Sequence, residues 1–240
     1  MSVPVLHSET VRFDAVLFDC DGVLVDSEPI TQAVLRDMLE ESGWAMTHEE
    51  CMRTFVGKMV RQERALIESR TGRPLTDAWM EAFYQRRNQR LQAELQPIDG
   101  AQAAVAAAHA HAGGRIACAS GADRHKVEFQ IDMAGLRPYF EQRIFSGHEM
   151  PCSKPAPDVY LAAAAHLGAD PARCLVIEDT PTGVTAGVAA GAEVWAYCPL
   201  PEAAERLLAA GASRLFGQMQ EIARALGSWP GQPPSDASLR

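Results

Sequence analysis

Five short apolar runs, AVLFD (15–19), RIACAS (115–120), RIFSG (143–147), CLVIED (174–179) and EVWAYC (193–198), are separated by longer stretches with helical spacing. No other feature of the chain constrains its fold as strongly. A strand with one face in water alternates apolar and polar residues, whereas a strand covered on both faces is apolar almost throughout, as these runs are. Such strands belong to an α/β protein with a parallel sheet, in which each crossover connection is a covering helix. The Ala-rich segments 101–112 and 157–167, with the segment 182–190, fit those helices. At 240 residues and 47% hydrophobic, the chain can bury such a core as one large domain or one domain carrying a smaller one.

Between Ile30 and Gln96 the pattern changes to helix upon helix with many charges, as in ITQAVLRDMLEESG and DAWMEAFYQRRNQRLQAEL. No convincing strand interrupts this block, so an all-helical insert is expected directly after the first strand. Trp44, Phe55, Trp79 and Phe83 would pack its own small core. QPIDG marks the return to the sheet, Pro97 and Gly100 breaking the helix. The expected organisation is a core of residues 1–25 and 98–240 with a helical unit at 26–97. The Pro-, Ser- and Gly-rich tail, 228–240, is expected to be loose.

The formal net charge of −9, with lysine and arginine scattered, argues against a nucleic-acid surface. No apolar run is long enough to span a bilayer, and no basic-then-apolar leader opens the chain, so a cytoplasmic protein without a membrane partner is expected. None of the six cysteines forms a CxxC pair, which fits reduced, mostly buried thiols. Nothing requires more than a monomer.

In an open α/β sheet, ligands bind beyond the carboxyl ends of the strands, so the residues that end each strand are read together. They are Asp19 and Asp21 in FDCDG, Ser120 and Gly121 in CASG, and Glu178 and Asp179 in VIEDT; SKPAPD adds Lys154 from a loop before a helix. Converging carboxylates repel unless a cation sits among them, and their hard oxygens suit Mg²⁺. A hydroxyl, an ammonium and backbone N–H groups near helix starts make an anion site of phosphate size. Metal and anion site together imply phosphoryl chemistry. Alone, each motif has an ordinary competitor: a DxD can be a turn, a serine a helix cap, KPAP a helix start and an acidic pair a solvated loop. Four in order at strand ends outweigh those readings.

DCDGVLVDSE, the serine of CASG, the lysine of SKPAPD and the acidic pair of VIEDT resemble, in order and rough spacing, the motifs of the haloacid dehalogenase superfamily of phosphotransferases. The resemblance runs from Phe13 to about Cys198 and implies a Rossmann-like core with an inserted all-helical cap. That cap looks like the small one of phosphoglycolate phosphatase-like and β-phosphoglucomutase-like members. FDCDGVLVDSE and IFSGHEM look most like bacterial phosphatases of the 6-phosphogluconate phosphatase kind.

The resemblance implies Mg²⁺-dependent hydrolysis of a small phosphorylated metabolite, a sugar phosphate or sugar-acid phosphate. Asp19 would be the nucleophile, forming an aspartyl-phosphate, and Asp21 the general acid and base. Mg²⁺ would be held by Asp19, the Asp21 carbonyl and Asp179, with Glu178 supporting it. Lys154 would neutralise Asp19 and the phosphoryl oxygens. Ser120, Gly121 and the turn at Gly22 would complete the phosphate site. Specificity is expected in the helical unit, at Gly57 and Lys58 of FVGKMV. Asp21 argues against a dehalogenase. Thr31, where mutase relatives carry a histidine, favours a phosphatase over β-phosphoglucomutase-like isomerisation. A non-enzymatic phosphate-binding module would lack the nucleophile or the acid, and neither is missing.

Overall fold

The computed structural model describes residues 13–55 and 58–227. Gly57 and the tail 228–240 lie outside the described residues.

Six parallel strands form one sheet: β1 (Ala15–Phe18), β2 (Ile116–Ser120), β3 (Ile144–Ser146), β4 (Cys174–Glu178), β5 (Glu193–Tyr197) and β6 (Arg214–Phe216). Their order is β3-β2-β1-β4-β5-β6. Every residue of β1, β2 and β4 is buried, the consequence of covering both faces of a parallel sheet. The five strands expected from the sequence all form, each within a residue at either end of the apolar run that marks it. The sixth, RLF, is three residues at a partly exposed edge and carries too little apolar signal to be read.

Alternate strand residues enter two cores. Val16, Phe18, Ile116, Cys118, Leu175 and Ile177 face one side, packed by α5 (Ala101–His111), α6 (Arg124–Met133), α7 (Arg137–Phe140) and α11 (Met219–Gly227). Ala15, Leu17, Ala117, Ala119, Cys174 and Val176 face the other, under α8 (Asp158–His166), α9 (Pro181–Ala189) and α10 (Ala204–Ala209).

From Glu28 to Glu94 the described residues form helices and no strand: α1 (Glu28–Glu41), α2 (His48–Phe55), α3 (Arg64–Thr71) and α4 (Asp77–Glu94), with one 3₁₀ turn. They share a separate cluster containing Leu35, Leu39, Phe55, Met80 and Phe83, with Trp44 and Trp79 packed against it. The two segments joining this block to the sheet pair with each other: Asp26 N–H donates to the Gln96 carbonyl at 3.0 Å, and Ile98 N–H to that of Leu24 at 3.0 Å. All six cysteines are free thiols, five of them buried and Cys152 exposed. No described helix is long and apolar enough to cross a membrane.

Candidate active site

The chain leaves β1 for β2 and β3 on one side, then returns to β4 beside β1 and continues the other way. A crevice at the carboxyl ends of β1 and β4 follows from that reversal. With Phe18 in register with Ile177 and Cys118, the residues that end or directly follow these strands meet: Asp19, Ser120, Glu178 and Asp179.

Lys154, from the loop between β3 and α8, binds two of them. Its Nζ donates to Asp19 Oδ1 at 2.6 Å and to Glu178 Oε1 at 2.7 Å, and it lies 4.7 Å from the centre of the Tyr160 ring. Glu178 is saturated. Tyr160 OH donates to Oε1 at 2.8 Å, while Oε2 accepts from Asp179 N at 3.0 Å and from the backbone N and Oγ1 of Thr180, each at 3.1 Å. Gly183, in the first turn of α9, makes room for this carboxylate, since a Cβ there would stand 1.7 Å from Glu178 Oε1. Burial pushes the Glu178 carboxyl up, but the Lys154 charge and these hydrogen bonds outweigh it and leave it below its ordinary value.

Asp179 is the opposite case. Its Oδ1 is buried with no hydrogen-bond partner, and burial followed by the charges of Glu178 and Asp19 pushes its carboxyl well above the ordinary range. Gly22, at φ +77°, turns the chain against it: a Cβ on Gly22 would stand 2.1 Å from Asp179 Oδ2. Asp19 is 6% exposed and raised to about 7, first by burial and then by Glu178 and Asp21, against the pull of Lys154. One carboxylate oxygen each of Asp19, Glu178 and Asp179 lies within 4.8 Å of the other two. Hard oxygen donors with one buried oxygen unsatisfied fit a divalent cation, whose charge would relieve the repulsion.

Asp21 lies beside this group in a different environment. Lys126 Nζ at 2.7 Å, Gln130 Nε2 at 2.8 Å and the Ser27 hydroxyl all donate to its Oδ1. Burial raises its carboxyl, but the Lys126 charge and the three hydrogen bonds prevail and lower it to about 2. Ser120 is buried, its Oγ accepting from Ala122 N at 3.1 Å, and Gly121 is half-buried next to it. Lys58 is not joined to these groups by any described contact. Its side chain is 48% exposed and lies 3.6 Å from Glu63.

Lys126, Gln130, Ser27, Tyr160 and Thr180 are absent from the sequence-based site. Lys126 and Gln130 carried a faint signal, as polar residues at i and i+4 beside apolar Val127 and Ile131 on the helix after CASG. Tyr160 carried none, because its hydroxyl is the tip of an otherwise apolar helix face.

The family model of the haloacid dehalogenase-like hydrolases matches residues 13–191. Over 191 residues the chain is 30% identical to the 6-phosphogluconate phosphatase of Escherichia coli strain K12, spanning 79% of this chain and 85% of that one. It is likewise 30% identical over 178 residues to hexitol phosphatase B of the same strain, spanning 73% and 79%. A solved structure of a HAD family hydrolase from Deinococcus radiodurans R1, with bound phosphate and sodium, superposes with a TM-score of 0.72 at 32% identity, covering 90% of this chain and 96% of that one.

Proposed function

Because the chain belongs to the haloacid dehalogenase-like hydrolase family, we propose that it is a Mg²⁺-dependent phosphatase acting on a phosphorylated sugar or sugar acid through an aspartyl-phosphate on Asp19. The observation that carries this reading is the convergence of Asp19, Lys154, Glu178 and Asp179 at the switch between β1 and β4. Kinship to phosphatases of 6-phosphogluconate and of hexitols supports the substrate class.

Asp19 attacks phosphorus through a carboxylate oxygen. That bond forms as the bond to the leaving oxygen breaks, and Asp21, ionised in the free site and taking up a proton as the negatively charged phosphate arrives beside it, delivers that proton to the departing group. Asp21 then takes a proton from a water that attacks the same phosphorus, freeing inorganic phosphate and restoring Asp19. Lys154 balances the charge of Asp19 and of the phosphoryl oxygens, which Ser120 and the backbone N–H groups at Asp21 and Gly121 hold, while the Gly22 N–H closes the turn onto the Val25 carbonyl. Mg²⁺, held by Asp19, Asp179 and the Asp21 carbonyl beside Glu178, would offset the repulsion between a carboxylate and a phosphate dianion.

The helical block at 26–97 serves as a cap that selects the part of the substrate beyond phosphorus, with Lys58 its candidate contact. Thr31 offers no titratable group where mutase relatives carry a histidine, which supports hydrolysis over isomerisation. Free thiols and the lack of a described membrane-crossing helix accord with work in the cytoplasm.

Phosphate release from a panel of phosphorylated sugars and sugar acids, with Mg²⁺ and with chelator, tests the reading. Asp19→Asn, nearly isosteric, should abolish turnover while leaving the thermal unfolding profile intact. Retention of more than a trace of activity would remove Asp19 as nucleophile.

A further inference from the structure

Lys126 is 7% exposed, an ammonium inside the protein, 105 residues along the chain from the carboxylate it touches. Burying such a charge costs stability, and an apolar residue of similar volume would pack at no such penalty. A charge buried at that cost, set against a carboxylate of the site, points to a task there.

We propose that Lys126 is a positioning residue for Asp21, acting with Gln130 and Ser27 to hold one oxygen of that carboxylate so that the other is aimed for proton transfer. The inference rests on the phosphatase reading and deepens it.

Three donors from two elements meet at Oδ1, and none of the described hydrogen bonds goes to Oδ2. Lys126 and Gln130 stand one turn apart on α6, so a rigid helix sets their spacing. Gln130 is itself oriented: its Oε1 accepts from Cys20 Sγ at 3.4 Å, which leaves Nε2 for Asp21. Ser27 stands at the N-cap of α1, where a serine hydroxyl usually bonds a free backbone N–H of the first turn. Here it makes no such bond and is given to Asp21 instead. The start of α6 is pinned as well, Asp123 Oδ1 accepting from Lys126 N at 3.0 Å. An acid or base catalyst works only when its oxygen lies within hydrogen-bond reach of the proton it moves, so a carboxylate free to rotate would spend part of its time misaligned.

The test compares two esters in the full-length protein with Mg²⁺. An alkyl phosphate leaves as a basic alkoxide and needs the proton from Asp21; p-nitrophenyl phosphate leaves as a stable phenolate and does not. Because kcat/KM reports the steps up to phosphorylation of Asp19, Lys126→Met should lower it by about 100-fold for the alkyl ester and by less than about 3-fold for the aryl ester. Inhibition by inorganic phosphate should stay within about 3-fold of wild type, and Lys126→Arg should restore part of the loss. Ser27→Ala, which removes one oxygen, should show the same asymmetry at smaller amplitude, and it carries the test if Lys126→Met does not fold. Equal losses on the two esters, no loss on either, or a loss that follows weakened phosphate binding would overturn the positioning role while leaving the phosphatase reading in place. A wild-type protein inert towards every phosphate ester would overturn both.

Discussion

Asp179 and Asp21 stand at the same sheet edge, yet their surroundings push them in opposite directions. Asp21 has three donors and is lowered to about 2; Asp179 has an unpartnered oxygen and the carboxylates of Glu178, Asp19 and Glu28 acting on it, and is raised well above its ordinary value. The contrast divides their roles. A group short of positive charge suits a metal ligand, and one already supplied by protein donors does not need the metal's charge. Asp179→Ala should therefore lose activity through metal affinity, with the Mg²⁺ concentration for half-maximal rate rising by more than about 10-fold and excess Mg²⁺ restoring part of the rate. Asp21→Ala should not be rescued at any Mg²⁺ concentration. Equal rescue in the two titrations would exchange or dissolve these assignments. Asp19, Ser120, Glu178 and Asp179 were legible as candidates because they end or directly follow a strand, and Asp21 and Lys154 because they lie in the connecting loops, where polar residues interrupt an apolar run. Lys126 and Tyr160 could not, because a polar tip on a helix face looks the same whether it meets solvent or a buried carboxylate.

At the scale of elements, α4 of the helical block meets the start of α6 through one ion pair. Arg87 Nη2 donates to Asp123 Oδ2 at 3.1 Å, and the guanidinium lies 5.0 Å from the centre of the Tyr84 ring. Burial raises the Asp123 carboxyl, but the Arg87 charge and the hydrogen bonds from Lys126 N and Arg87 prevail and hold it below its ordinary 3.8. A depressed carboxyl stabilises the fold above that ordinary value, and the contribution fades as pH falls through the lower folded value. Arg87→Met should thus cost about 1–3 kcal/mol at pH 7, the figure for a broken buried pair reduced for the partial exposure of Asp123, and clearly less at pH 3. Urea unfolding at the two pH values measures this, and equal losses would exclude the pair as the cause. The helices expected at 101–112, 157–167 and 182–190 form as Ala101–His111, Asp158–His166 and Pro181–Ala189. The last three elements, α10, β6 and α11, did not stand out, being short or amphipathic and dependent on the sheet for their burial.

Taken as a whole, the molecule folds around a concentration of negative charge at one edge of its sheet, and a cation should stabilise it. Mg²⁺ at about 100 times its dissociation constant adds roughly 2.7 kcal/mol, which for a chain of this size is a rise in Tm of roughly 5–10 °C. With chelator present, the raised Asp179 carboxyl should subtract from the stability of wild type as pH climbs through 3.8, because the unfolded chain gives up that proton first. Asp179→Ala should escape that loss, melting in chelator at least as high as wild type, and should gain little from Mg²⁺. Calorimetry of both proteins with and without the ion decides it; a variant that gains as much as wild type would place the cation elsewhere. The sequence by itself determined the parallel sheet, the helical block after β1 and the strand-end residues that meet. Those follow from local periodicity and from the rule that parallel strands direct their carboxyl ends to one edge. The tertiary structure alone decided the environment of each carboxylate: which oxygen Lys126 and Gln130 hold, which Tyr160 and Thr180 saturate, and that Asp179 is left with one unsatisfied. Hydrogen bonding and desolvation depend on what lies within a few ångströms in space, and here such neighbours, Lys154 and Asp19 among them, stand 135 residues apart along the chain.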